Sequence, residues 1–145
     1  MSNVVFGKAV VLINPVNIYG CTLGDNVFVG PFVEIQHGVK IGNGTKIQSH
    51  SFICELVTIG ENCTIAHGVM FINDPYRIGR PARGDRNKWL STTVGNQVTI
   101  GSNATILPVV ICDNVVVGAG SVVTKNISSP GIYAGNPARF LREIV

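Results

Sequence analysis

The residues best suited to chemistry lie in one stretch of the chain, from position 67 to position 90. His67 carries a side chain that changes charge near neutral pH and can act as a general base. Asn73 and Asp74 carry an amide and a carboxylate, which can accept a hydrogen bond and orient a reacting group. The stretch 77–90 then contains five cations and one acid, in a chain whose formal net charge is only +3. The sequence therefore predicts a polar site beside a cationic segment.

The cations of this segment suggest a phosphate ligand. The guanidinium fork of arginine matches phosphate geometry, so Arg77 and Arg83 are candidates for contact with a nucleotide diphosphate. Trp89 could cover a base or shield the site from water. Taken singly, each of these cations is better explained as solvated. The positive charge is local, unlike the evenly basic surface of a nucleic-acid-binding protein.

An apolar residue recurs every six positions along nearly the whole chain, and this period predicts the fold. A period of six is neither the alternation of a simple strand nor the 3.6 of a helix; it is the signature of a parallel β-helix. The first run comprises Leu23, Val29, Ile35, Ile41, Ile47, Ile53, Ile59, Ile65 and Phe71. The pattern resumes at Val94 and continues to Val123. We therefore expect an all-β chain with one domain, residues 1–145, built as a parallel β-helix of about six coils.

Three hexads make one triangular coil, so side chains eighteen positions apart should lie over one another. His37, Glu55 and Asn73 each stand two residues after an apolar position of the third edge and would form one column. His67 takes the equivalent place on the second edge. The repeat breaks at about 74–93, and a long loop that leaves a regular scaffold is often functional. We expect polar residues to converge at the root of this loop.

The C-terminal tail, at about 132–145, leaves the repeat. Phe140, Leu141 and Ile144 have the spacing of a helical apolar stripe. The exposed ends of a β-helix need covers. We therefore expect the tail to form a short helix that caps one end of the stack.

Several classes of protein are disfavoured by composition. No segment approaches 18 uninterrupted apolar residues, and no charged stretch followed by an apolar run opens the chain, so neither a membrane span nor a secretory signal is expected. The four cysteines include no C-x-x-C pair, which gives a zinc or thioredoxin-type site little support. The expectation is a cytoplasmic protein with reduced thiols.

Five segments carry a resemblance to a known family: GPFVEIQHGVKIG (30–42), IQSHSFICELVTIGENCTIAHGVMFINDPY (47–76), TVGNQVTIGSNATILPVVI (93–111), GAGSVVTKNI (118–127) and YAGNPARFLRE (133–143). They resemble the left-handed β-helix acyltransferases of the hexapeptide-repeat superfamily. Within these, the combination HGVMFINDP, loop, SNATIL and GNPAR is similar to the nucleotide-sugar N-acyltransferases that acylate 3-amino sugars for surface polysaccharides. The left-handed sense of the helix follows from this resemblance alone, because parallel crossovers are otherwise right-handed in most proteins.

The resemblance implies an enzyme and its ligands. It implies a homotrimer with active sites at the subunit boundaries, acetyl-CoA as the usual acyl donor, a nucleotide-linked amino sugar as acceptor, and no metal. The donor-side residues implied are Ala104, Gly118 and Ala119 for the pantetheine, with Lys125, Asn136 and Arg139 at the adenosine phosphates. The same residues are also explained as plain scaffold.

On the acceptor side, the resemblance implies that Asn73 touches the reacting amine and that a dedicated histidine base can be missing. Asp74 could share the orientation of that amine, because an amino sugar already has a useful free-base fraction near neutral pH. His67 is the alternative base; its other interpretation is a structural histidine bonded to a turn carbonyl. Gln36 and Glu55 are candidate sugar or nucleotide contacts, or members of a solvated face.

Three other functions fit parts of the pattern. A γ-type carbonic anhydrase shares the fold but needs a close pair of histidines, whereas His37, His50 and His67 stand 13 and 17 positions apart. A non-catalytic hexapeptide scaffold would not need the arginine-rich loop. An O-acetyltransferase of a small hydroxyl acceptor is the nearest alternative.

Overall fold

The computed structural model describes residues 2–145, and its strands follow the six-residue period. The first ten are β1 (Val5–Phe6), β2 (Val11–Leu12), β3 (Asn17–Ile18), β4 (Thr22–Leu23), β5 (Phe28–Val29), β6 (Glu34–Ile35), β7 (Lys40–Ile41), β8 (Lys46–Ile47), β9 (Phe52–Ile53) and β10 (Val57–Ile59). The others are β11 (Thr64–Ile65), β12 (Met70–Phe71), β13 (Thr92–Val94), β14 (Thr99–Ile100), β15 (Thr105–Ile106), β16 (Val110–Ile111), β17 (Val115–Val117), β18 (Val122–Val123), β19 (Gly131–Gly135) and β20 (Ala138–Arg142). One 3₁₀ turn, Arg86–Lys88, lies in the loop.

Every third strand joins the same sheet, which makes the molecule a triangular prism. Sheet 1 has the order β1-β4-β7-β10-β13-β16, sheet 2 the order β2-β5-β8-β11-β14-β17-β19-β20, and sheet 3 the order β3-β6-β9-β12-β15-β18. All pairs are parallel except β19 with β20. The predicted all-β solenoid of six coils is confirmed, and its architecture is consistent with a left-handed parallel β-helix.

The interior of the prism is filled with stacked apolar side chains. The inward residue at the end of each strand from β3 to β18 is isoleucine, valine, leucine or phenylalanine, and Ile47, Ile53 and Phe71 are all 0% exposed. β-Branched residues suit these short strands because they pack well on a pleated surface. Two buried hydroxyls are satisfied within the stack, since Thr45 donates to the carbonyl of Gly60 and Ser51 to that of Ala66, each at 2.8 Å.

The corner between sheets 1 and 2 carries a side-chain ladder that joins successive coils. Asn43 Oδ1 accepts the backbone N–H of Asp25 at 2.7 Å, and Asn96 Oδ1 accepts that of Glu61 at 2.8 Å. A side chain at Gly60 would collide with this ladder, because its Cβ would lie 2.4 Å from Asn96 Oδ1. The repeated Gly followed by Asn, Asp or Glu is therefore a structural requirement of this corner.

The long loop runs from the end of β12 at Phe71 to the start of β13 at Thr92. It leaves the prism without disturbing the register, because Ile59 pairs with Val94 across it as it pairs with Ile41 on the other side. Thr92 and Thr93, which the sequence places at the end of the loop, already belong to β13.

The predicted helix at the C-terminus is wrong. Residues 131–142 form the hairpin β19–β20, in which β19 continues sheet 2 parallel to β17 and β20 returns antiparallel to it. Phe140 packs edge-on to Tyr133, with ring centroids 5.5 Å apart, while Leu141 and Ile144 are exposed. The apolar spacing looked helical, but the chain reverses at Gly135–Ala138 and satisfies its backbone by strand pairing. Within residues 2–145, no helix is both long and apolar enough to cross a membrane.

Candidate active site

The predicted column of His37, Glu55 and Asn73 is confirmed at the corner between sheets 3 and 1. Strands β6, β9 and β12 are neighbours, with Ile35 opposite Ile53 and Phe52 opposite Met70. Asn73 Nδ2 donates to the backbone carbonyl of Glu55 at 3.1 Å. Residues far apart in sequence therefore form one polar wall at the root of the loop.

The amide of Asn73 has a defined orientation. Because the carbonyl oxygen of Glu55 can only accept, the side chain must present Nδ2 to it, and Oδ1 is left facing the other way. Within residues 2–145, Oδ1 makes no hydrogen bond of its own. The backbone of Asn73 is fixed as well, since its carbonyl accepts the N–H of Leu90 at 2.8 Å where the loop returns. Asn73 thus presents a fixed hydrogen-bond acceptor.

Gln36 holds the other side of Glu55. Its Oε1 accepts the backbone N–H of Glu55 at 3.1 Å, and its Nε2 donates to Glu34 Oε2 at 3.2 Å. The same carboxylate oxygen accepts from the hydroxyl of Tyr19 at 2.9 Å. Burial, followed by the hydrogen bond to Glu34, raises the pKa of Tyr19. A continuous set of hydrogen bonds therefore connects Tyr19 with Asn73.

Asp74 organises the loop. Its Oδ1 accepts the backbone N–H of Tyr76 at 3.0 Å, and its Oδ2 accepts that of Ala82 at 2.7 Å. Each carboxylate oxygen thereby closes one turn of the loop. The predicted catalytic role of Asp74 stays a prediction, and its observed contacts are with the loop backbone.

Glu55 and Arg86 tie the loop to the prism. Arg86 Nη1 donates to Glu55 Oε1 at 2.5 Å. The guanidinium also lies over the ring of Trp89, with Cζ 5.5 Å from the ring centroid. Asp85 caps the 3₁₀ turn by accepting the N–H of Asn87 and pairs with Lys88 at 3.2 Å, and the Lys88 hydrogen bond lowers the pKa of Asp85.

The loop and the column border an open cavity of about 350 Å³. Its wall includes Glu55 and Asn73 from the column, Gln36 beside them, and Asp74 and Trp89 from the loop. Arg77 and Arg83 do not line it; both are exposed on the loop outside. A volume of this size lies at the lower end of the range for small-molecule sites.

Cys54 contributes to the floor of this cavity. Its side chain is only 2% exposed, and burial raises the pKa of its thiol to about 12. The group is therefore a neutral thiol at physiological pH. A thiol in this form is a poor nucleophile, because the thiolate is the reactive species.

His67 lies at a different corner, between sheets 2 and 3. It is exposed in the turn after β11, and its carbonyl accepts the N–H of Asn103 at 2.9 Å. Within one chain it does not line the cavity of Asn73. The role of His67 as the alternative base stays a prediction, because His67 and Asn73 lie at different corners of a single chain.

The predicted donor-side residues do not gather in one place either. Gly118, Ala119 and Asn136 follow strands of sheet 2, towards the corner of His67, whereas Lys125 follows β18 at the corner of Asn73. Arg139 is exposed on β20.

Ala104 is buried inside the prism, 0% exposed. Its N–H donates to Gly101 and its carbonyl accepts from Met70, so this placement does not favour a contact with a ligand. A Cβ at Gly118 would lie 2.9 Å from the Cβ of Ala134.

Three residues of the site were missed by sequence reasoning. Tyr19 directly follows β3, and Glu34 lies in β6, the neighbouring strand of sheet 3, so their place in the stack could have indicated them. Arg86 was visible only as one cation among five, because its pairing with Glu55 depends on the path of the loop.

Two family descriptions match the chain. Residues 20–55 match the bacterial transferase hexapeptide (six repeats), and residues 91–125 match the hexapeptide repeat of succinyl-transferase. The galactoside O-acetyltransferase of Escherichia coli K12 is 36% identical over 129 residues, which cover 85% of this chain and 64% of that protein. The chain thus spans less than two thirds of the length of that curated relative.

Solved structures share the architecture. A variant of AntD, an N-acyltransferase from Bacillus cereus crystallised with dTDP and coenzyme A, superposes with a TM-score of 0.84 at 24% identity, covering 97% of this chain and 83% of that one. The maltose O-acetyltransferase of Clostridium difficile 630 superposes with a TM-score of 0.66 at 25% identity, covering 97% and 71%. These likenesses agree with the β-solenoid described above.

Proposed function

We propose that this protein is an acetyl-CoA-dependent acetyltransferase. Residues 20–55 and 91–125 match two hexapeptide-repeat descriptions of transferases, and these matches support the hexapeptide-repeat acetyltransferase family. Its finer activity in this proposal is the N-acetylation of a nucleotide-linked amino sugar in the cytoplasm. The names of its relatives as acetyltransferases support the acetyl donor.

The fixed acceptor oxygen of Asn73 carries the proposal. An amine that enters the cavity can donate one N–H to Oδ1, which directs its lone pair towards a thioester carbonyl and aligns the reactants. The backbone carbonyl of Glu55 holds the Asn73 amide in this orientation, and the side chain of Gln36 fixes the backbone of Glu55. Acetyl-CoA would supply the acetyl group as a thioester. As the amine nitrogen bonds to the carbonyl carbon, the C–S bond would break and one amine proton would pass to the departing thiolate, which gives the amide and the free thiol of coenzyme A. The neutral thiol of Cys54 is consistent with direct transfer to the amine.

A second copy of the chain completes the site in this proposal. The acceptor residues lie at the corner between sheets 3 and 1, whereas His67, Ala119 and Asn136 lie towards the corner between sheets 2 and 3. A homotrimer would place one corner of each copy against the other corner of its neighbour, and closed symmetry limits such contacts to a finite assembly. Lys125 and Arg139 are exposed cations that fit the phosphates of the donor.

The loop supports a nucleotide-linked acceptor. Arg77 and Arg83 are both exposed. Arg77 directly follows Tyr76, which lines the cavity, and Arg83 directly follows Ala82, whose N–H donates to Asp74 of the cavity wall. An amino sugar held at Asn73 would leave its diphosphate at the loop side of the cavity, where guanidinium groups match it well. Trp89, half-buried in the cavity wall, would keep bulk water from the thioester.

O-acetylation of a glycoside is the second candidate, because a galactoside O-acetyltransferase is 36% identical to this chain. The two reactions differ in their need for a base. A sugar hydroxyl is a very weak acid and must lose its proton during attack, whereas an amine has a free lone pair. Within residues 2–145, no histidine lines the cavity in a single chain, so a hydroxyl acceptor would need His67 of a neighbouring copy as its base, whereas an amine would not.

The test is a panel of acceptors with acetyl-CoA, followed by release of free thiol. The panel contains UDP- and dTDP-linked 3-amino-3-deoxyglucose, free glucosamine, and maltose as a hydroxyl-only sugar. We expect turnover of a nucleotide-linked amine and little turnover of maltose. Turnover of maltose alone would assign the protein to the second candidate, and no turnover of any acceptor would refute the proposed activity.

A further inference from the structure

The charged groups in the wall of the candidate cavity are acidic. Glu55 and Asp74 are its carboxylates, and within residues 2–145 no arginine, lysine or histidine belongs to its wall. The other titratable groups there are Tyr76 and Cys54, and Cys54 stays a neutral thiol. Glu34 lies just beyond, on the far side of Gln36. An amine at Asn73 Oδ1 would therefore meet negative charge unless something compensates for it.

The two carboxylates are not equivalent. Asp74 already accepts a backbone N–H on each oxygen, and these bonds hold it in the loop. Glu55 has one charged partner, Arg86. Its side chain is 16% exposed, whereas that of Arg86 is 66% exposed. The part of the negative charge that comes from Glu55 thus depends on a cation at the rim of the cavity.

We propose that Arg86 is a positioning residue that keeps an acceptor amine reactive: by pairing with Glu55 it cancels the charge of that carboxylate near Asn73 and lets the acceptor react as its free base. This inference rests on the proposed N-acetylation. An amine beside an unpaired carboxylate is held as the ammonium ion, and its pKa rises by about one to three units. The ammonium ion has no lone pair and cannot attack the thioester. The contact of Arg86 with Trp89 keeps the guanidinium over the column.

The pH dependence of kcat, measured at saturating acetyl-CoA and acceptor, tests this inference in Arg86→Gln with whichever amine of the panel is turned over fastest, because kcat reports the groups of the bound complex. Loss of the cation should move the acid limb of the profile to higher pH by about one unit, the lower end of the range, because Arg86 is largely exposed. Below that limb the rate should fall about tenfold. The double variant Arg86→Gln/Glu55→Gln removes both charges and should return the limb to its wild-type position.

Lys88→Gln is the matched control, because it removes one positive charge from the same turn but its partner is Asp85, away from the cavity. Its acid limb should stay in place. A uniform loss of rate in Arg86→Gln, with the limb unmoved, would overturn the inference and leave a purely structural role. A limb that stays shifted in the double variant would overturn it too. If the wild type turns over no amine, the proposed function itself fails.

Discussion

Replacing Asn73 by aspartate separates orientation from electrostatic attraction. The substitution is nearly isosteric, but it replaces the donor Nδ2 by an anionic oxygen that would face the carbonyl oxygen of Glu55, now 3.1 Å away. The side chain must rotate away from this repulsion, and the fixed position of Oδ1 is lost. A lost hydrogen bond in a half-buried site with an unpaired acceptor left behind costs about 1–3 kcal/mol. If this cost falls on the transition state, kcat/KM drops roughly five- to 150-fold.

The assay is thiol release at saturating acetyl-CoA with the best amine acceptor, together with thermal unfolding to confirm that the variant is folded. Asn87→Asp is the matched control, because it introduces the same charge in the same loop but outside the cavity wall. We expect Asn73→Ala to lose activity to a similar extent with little change in folding. The reasoning is refuted if Asn73→Asp matches or exceeds the wild-type kcat/KM, since a carboxylate would then serve the amine as well as an oriented amide.

Three further outcomes follow from the contacts. Gly60→Ala should lower the free energy of unfolding by about 1–3 kcal/mol in urea denaturation, because its Cβ would lie 2.4 Å from Asn96 Oδ1; unchanged stability would contradict the requirement for glycine. Asp74→Asn keeps one acceptor oxygen of two, so KM for the acceptor should rise several-fold by initial-rate kinetics with stability lower by about 1 kcal/mol; an unchanged KM with a large fall in kcat would instead favour a direct catalytic role. Burial raises the pKa of the Cys54 thiol above its unfolded pKa of 9.0. The contribution of this neutral thiol to the free energy of unfolding is therefore full below pH 9 and is lost as the pH rises above it. Urea denaturation should therefore show a steeper loss of stability above pH 9 for wild type than for Cys54→Ala, by about 1.4 kcal/mol per pH unit; equal slopes would contradict the assignment.

The sequence allowed the coils of the scaffold to be predicted in detail because a six-residue period is the signature of one architecture, the parallel β-helix. The superposition of His37, Glu55 and Asn73 followed from that period alone. The pairing of Arg86 with Glu55 could not follow, because it depends on how a loop without a repeat folds back onto the prism. The tail was misjudged for a related reason. Phe140, Leu141 and Ile144 have helical spacing, but the free edge of β17 offered β19 a ready set of backbone hydrogen bonds.

The position of His67 marks a different limit. Its place in the repeat was correctly assigned to the second edge, and the fold then separates it from Asn73 by a whole face of the prism. A single sequence describes one copy of the chain, so groups that approach each other between copies leave no trace in the spacing. Whether His67 takes part in the site therefore depends on how copies of the chain assemble, and not on the fold of one copy.

The way the loop leaves the prism has a consequence for how such proteins can diversify. Its two ends are joined by the bond from Leu90 to Asn73, and the strands on either side keep the register that they would have had without it. Segments of other length and composition could thus be grafted between these ends at little cost to the stack. Acceptor preference could change through exchange of this loop alone, while the coils that carry His37 and Glu55 stay the same.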